Sequence, residues 1–85
     1  MGTKKISMNP WDFTLFESDN VGYVMKIIFS EGDYKVDVER FFIVGSLVSG
    51  KENDIEFLKS VAKQIRDNYS SYTSKEISKA DFSVL

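Results

Sequence analysis

The chain contains neither cysteine nor histidine. Without thiols there are no disulfides and no thiolate metal sites, and a small domain that holds together unstapled fits a reducing compartment, so the cytoplasm is the expected location. Without imidazole as well, nucleophile–histidine pairs, cysteine proteases and the usual zinc sites are excluded together. Only carboxylate or lysine chemistry is left. Carboxylate pairs such as Glu17 with Asp19 and Asp37 with Glu39 are spaced like solvent-facing strand and turn residues rather than like an acid and base sharing a pocket. The expectation is a protein that is not an enzyme and holds no cofactor. No Asp-x-Asp-x-Asp-Gly calcium loop occurs.

Long apolar runs are also missing. The longest, residues 41–48, is far short of the roughly 20 residues that span a bilayer. The start has a charged beginning but no apolar stretch behind it, so no secretory signal is expected there and no membrane partner is implied. No stripe of clustered Lys and Arg is present to neutralise phosphates, which makes nucleic acid a poor direct partner.

What is present is apolar and aromatic content sufficient for one core. In 85 residues, 42% are hydrophobic and 14% aromatic, with seven Phe, four Tyr and one Trp, so a single domain over residues 1–85 is expected rather than disorder. A domain this short buries a limited fraction of its surface, so a homodimer stays open. The formal charge of −2 is uneven: residues 1–56 hold ten carboxylates against six basic residues, and residues 57–85 hold three against five.

The hydrophobic pattern divides the chain into a polar leader (1–10), a strand-strand-strand-helix core (11–69) and a polar tail (70–85). Trp11, Phe13 and Leu15 alternate with Asp12 and Thr14, which predicts a half-buried strand over 11–17. A turn-forming stretch through Gly22 leads to Tyr23, Met25, Ile27 and Phe29 on one face of a second strand, which together read as a hairpin. Glu31-Gly32-Asp33 supplies another turn, with Gly32 free to take positive φ. In the third strand Tyr34, Val36 and Val38 face inward and Lys35, Asp37 and Glu39 face water. At Arg40 the alternation slips and residues 41–44 are continuously apolar, so either a bulge or a strand buried on both sides is expected. After a loop over 45–53, Ile55, Leu58, Val61, Ala62, Ile65 and Tyr69 recur at helical spacing, predicting a helix over 54–69 capped by Asn53 with Glu56 three residues on. Residues 80–85 alternate weakly, so the tail is a short fourth strand, a docked tail or disordered. The expected fold is α+β: an antiparallel meander of three strands, or four if the tail pairs, with one C-terminal amphipathic helix on one face.

The string Gly45-Ser46-Leu47-Val48-Ser49-Gly50-Lys51-Glu52 fits a phosphate loop except at its last position. There Glu52 replaces the magnesium-binding Ser or Thr, so a plain strand-to-helix connection is expected. Asn68-Tyr69-Ser70 fits a glycosylation acceptor but lacks the signal that would give it meaning.

The feature with functional content is the acidic outward set: Glu17 and Asp19 at one turn, Glu31 and Asp33 at the next, Asp37 and Glu39 along the third strand. In a meander these form a negative face and rim rather than one tight cluster, which speeds encounter with a cationic protein. Trp11, at the entry to the first strand beside Pro10, is a candidate apolar anchor for such a partner. The aromatic strand, the Gly22-Tyr23-Val24-Met25-Lys26-Ile27 turn and strand, the third strand and the helix from Ile55 to Arg66 resemble the small immunity proteins of bacterial toxin systems, including contact-dependent inhibition. That resemblance implies an antitoxin-like inhibitor that caps the active site of a basic nuclease toxin stoichiometrically. A different reading is a phage or plasmid accessory or structural protein that self-associates through an open sheet edge.

Overall fold

A computed structural model of the chain describes residues 3–10, 12–31, 33 and 36–85, with the Glu31 side chain left aside. Trp11, Gly32, Tyr34 and Lys35 lie outside the described residues. The protein is α+β. Among the described residues five strands, β1 (Thr3–Asn9), β2 (Phe13–Ser18), β3 (Gly22–Glu31), β4 (Val36–Ile43) and β5 (Glu76–Ile77), form one antiparallel sheet in sequence order. Between β4 and β5 come α1 (Gly45–Val48), α2 (Ile55–Asp67), α3 (Tyr69–Tyr72) and a 3-10 turn (Thr73–Lys75), and α4 (Lys79–Ser83) closes the chain. No described helix is long and apolar enough to cross a membrane.

The three alternating segments form adjacent strands. Gly22, at φ 83°, ends the β2–β3 turn, and the Ser18 hydroxyl accepts the Asn20 N–H at 3.1 Å inside it. The polar leader is the first correction, because residues 3–9 form an edge strand. An edge strand is held by its ladder and needs no apolar alternation; here only Ile6, at a register shift between Lys5 and Ser7, reaches the core.

One sheet face carries Phe13, Leu15, Met25, Ile27 and Phe42, all at most 1% exposed, and α2 lays Leu58, Val61, Ala62 and Ile65 across it. Burying each large aliphatic side chain contributes about 1.5–3 kcal/mol, so this stripe is the main reason α2 exists as a helix. Asp54, not Asn53, is its N-cap, accepting the Phe57 N–H at 3.1 Å. Glu56 in the first turn and Arg66 in the last both suit the helix dipole. The helix stops at Asp67, short of Tyr69, and Tyr69 packs from α3 edge-on against Phe29, 5.4 Å between centroids.

The slip at Arg40 is not a bulge. Pairing between β3 and β4 runs unbroken from Val24↔Ile43 to Glu31↔Val36, and the strand is buried on both sides, with Phe41 on one face and Phe42 on the other. Arg40 lies on the helix side, its guanidinium 4.9 Å from the Tyr69 ring centroid and 3.1 Å from Glu76 Oε2. An arginine is tolerated there because ring face and carboxylate both meet its charge.

The tail is the second correction. Its strand is Glu76–Ile77, and residues 80–85, expected as strand, docked tail or disorder, dock as most of α4. Ser78 caps that helix by accepting the Asp81 N–H at 3.0 Å. Phe82 is thereby placed on the far sheet face, stacked on Phe41 at 4.4 Å and edge-on to Phe16 at 5.0 Å. The part of the far face around Phe16 and Phe41 is therefore covered.

Candidate functional site

The acidic residues separate once the strands are in register. Glu17 and Asp19 lie at the β2–β3 end, both exposed, and Glu17 shares the helix side with Tyr23 and Leu15. Glu31 and exposed Asp33 lie at the β3–β4 end. The ten residues of β3, at about 3.3 Å each, hold the two groups on the order of 30 Å apart. Asp37 and Glu39 alternate on β4 and point to the face opposite α2. Trp11 lies outside the described residues, so its proposed anchor role has no geometry here.

Asp37 and Glu39 differ in their surroundings. Glu39 is 3.3 Å from Lys26 Nζ and 3.9 Å from Lys79 Nζ, so two cations share it. Asp37 accepts a hydrogen bond from Ser30 Oγ at 3.3 Å and has no cationic partner among the described residues. Beside them the far face is open where Phe82 does not reach. A depression of about 310 Å³ is floored by Thr14 and Ile28 and rimmed by Met8, Pro10, Lys26 and Glu39. A second, of about 460 Å³, runs along Ile28, Asp37, Val38, Glu39 and Lys79. Met8 is 47% exposed on this same face, which leaves apolar surface beside Glu39.

The edge of the sheet at this place is bare as well. β5 pairs only with Phe41 and Phe42, so among the described residues no strand runs along the side of residues 36–40 away from β3. Sequence reasoning found Asp37 and Glu39 but missed Lys26, Ile28 and Met8. For Lys26 and Ile28 the signal was there, since they occupy the even positions of β3 between Met25, Ile27 and Phe29. Met8 sat in a segment with no period at all.

The phosphate-loop-like string has another occupation. Gly45 begins α1, and the Gly50 N–H, a group such a loop would aim at phosphate, donates to Glu52 Oε1 at 3.1 Å. The same carboxylate accepts from the Tyr23 hydroxyl at 3.0 Å, and the Glu52 carbonyl accepts from Ser7 Oγ at 2.9 Å. Glu52 thus ties the connection to β1 and β3. Hydrogen bonds from its own N–H, from Gly50 and from Tyr23 hold its carboxyl below the usual 4.5. The hydrogen bond to Glu52, then burial and the neighbouring charges of Glu52 and Glu17, push the Tyr23 phenol above the usual 10.0.

The signs of these shifts fix a stability profile. A carboxyl lowered on folding adds stability above its ordinary value, lost as pH falls through the folded value; a phenol raised on folding adds stability below its ordinary value, lost as pH rises through the folded one. Urea midpoints are expected to fall below about pH 4.5 and above about pH 10. Glu52→Gln should flatten both arms, and Tyr23→Phe chiefly the alkaline one. Unchanged arms in both variants would remove this pair as their cause.

No known protein family, curated protein or solved structure matches this chain.

Proposed function

We propose that this chain is a small protein-binding inhibitor of the immunity-protein kind, which neutralises a cationic protein target, such as a nuclease toxin, by one-to-one binding. It acts from the cytoplasm, without catalysis and without a cofactor. The observation that carries the reading is the exposed stretch of β4, where Asp37 has no cationic partner among the described residues and the adjoining far face is uncovered. Negative charge beside open apolar surface suits capture of a basic partner: the charge speeds encounter and the apolar surface holds the complex.

Self-association through an open edge is the competing reading, and the charges at both edges weigh against it. Two β4 edges paired antiparallel would set Asp37 and Glu39 of one copy against the same carboxylates of the other, and like charges directly opposite are destabilising. The β1 edge carries Lys4, Lys5 and a register shift, each of which discourages edge pairing.

The test is affinity purification from the native host, in which one basic protein should copurify at one-to-one stoichiometry and detach as salt is raised. Asp37→Lys should then slow association with that protein by about tenfold at low ionic strength and have little effect in high salt. An unchanged on-rate at low salt would sink the steering role of β4, and a homo-oligomer with no companion would favour the assembly reading.

A further inference from the structure

The two sides of β4 can be assigned from bonds at the ends of the ladder. The Val44 N–H donates to the Tyr23 carbonyl at 2.8 Å, whereas the Ile28 N–H donates to Asp12 at 3.0 Å and the Ile28 carbonyl accepts from Arg66 Nε at 2.9 Å. Backbone groups alternate sides along an antiparallel strand, so odd residues of β3 bond toward β4 and even ones toward β2. With Ile27 opposite Arg40 and Phe29 opposite Val38, the even residues of β4 are those that bond β3. Asp37, Glu39 and Phe41 therefore turn their N–H and C=O groups to the outer edge. Phe41 meets Ile77 there. Asp37 and Glu39 meet no strand among the described residues, because Ser78 caps α4 and the chain lifts onto the face just where β5 would have continued past them.

We propose that the partner donates an extended segment that adds to the sheet antiparallel to β4, in line with β5, with basic side chains at two positions separated by one apolar residue. This rests on the protein-binding reading above and specifies the partner's chemistry. Residues opposite Asp37 and Glu39 would exchange both backbone hydrogen bonds with them and share their face, so positions i and i+2 of the added strand meet the two carboxylates. Position i+1 falls on the other face beside half-buried Val38, where an apolar residue fits. The position opposite Asp37 matters more, since Lys26 and Lys79 already share Glu39. The same carboxylates repel acidic edges, so the site selects as well as binds.

The probe is a blocked pentapeptide, Lys-Val-Lys-Val-Thr, which begins opposite Glu39 and so stops short of Ile77 opposite Phe41, with an analogue N-methylated at both lysines. In the free protein the amides of Asp37 and Glu39 should exchange with solvent at least about a hundredfold faster than those of Val38 and Arg40, and the peptide should slow them. N-methylation, which removes the two bonding donors, should weaken binding by about tenfold or more, as should Asp37→Lys. Glu39→Pro deletes an outward donor without touching the β3 ladder, so it should bind more weakly than Glu39→Ala, which loses the same charge. If Glu39→Pro does not fold, the N-methylated peptide decides alone. Equal binding of the two peptides, binding of neither, or slow exchange at Asp37 and Glu39 in the free chain overturns strand addition. A host protein that copurifies yet leaves those amides unprotected overturns it while leaving the inhibitor reading intact. Peptide binding with no copurifying protein supports the edge and removes the inhibitor reading.

Discussion

Phe42→Ala is expected to leave the domain at the margin of folding, with a loss of about 3–5 kcal/mol. Phe42 is fully buried, lies opposite Met25 in the ladder, and packs against Phe29 and Tyr69 with centroids 6.1 and 6.2 Å away. A chain of 85 residues has roughly 4–13 kcal/mol in total by the usual per-residue range, so this one truncation removes a large part of it. Collapse of Tyr69 into the space would disturb its 2.6 Å hydrogen bond to Glu76, the β5 residue opposite Phe42. Urea denaturation followed by circular dichroism measures the effect. Phe42→Leu, which keeps most of the volume, should lose only about 1–2 kcal/mol. A loss below about 1 kcal/mol in Phe42→Ala would mean that the packing described around this ring is wrong.

Phe82→Ala should produce the second largest change, and a different kind. The ring is partly exposed, so the stability loss is smaller, about 2 kcal/mol from lost area and the two aromatic contacts. The larger consequence is on the surface. Without Phe82 the rings of Phe41 and Phe16 face water next to Val24 and Ile77, and a contiguous apolar patch on a sheet face promotes association. The variant should bind a hydrophobic dye and sediment with a concentration-dependent mass, while the parent chain does neither. If it stays monomeric and dye-negative, α4 is not the cover of that face.

These two residues also mark how far the sequence could be read. Phe42 was legible as core from the continuously apolar stretch 41–44, but the face it takes was not, because the alternation slips at Arg40; in β2, β3 and α2 burial of one face imposes the periods. Phe82 was not legible. Its helix is five residues long, too short for a period to show, and rests on one cap, Ser78 with Asp81 three residues on. Composition hid β1, since an edge strand can be polar on both sides. The cap of α2 was displaced by one because Asn53 and Asp54 are both competent and only backbone geometry chooses between them. At the candidate site, Asp37 and Glu39 followed from alternation alone. That Glu39 is shared by two lysines while Asp37 is not depends on cross-strand register and on where α4 ends, neither of which is local in sequence.

Arg66 has a consequence for motion. From the last turn of α2 its guanidinium donates to the Asp12 carboxylate, to the Asp12 carbonyl at 2.7 Å and to the Ile28 carbonyl at 2.9 Å, while Asn9 Nδ2 donates to the same carboxylate at 2.9 Å. One side chain thus rivets the helix terminus to the β1–β2 corner and to the middle strand at once. An opening that frees the end of α2 breaks the bonds that also hold the corner at Asn9 and Pro10, which rims the depression on the opposite side of the sheet, so amide exchange at the two places is expected to be coupled.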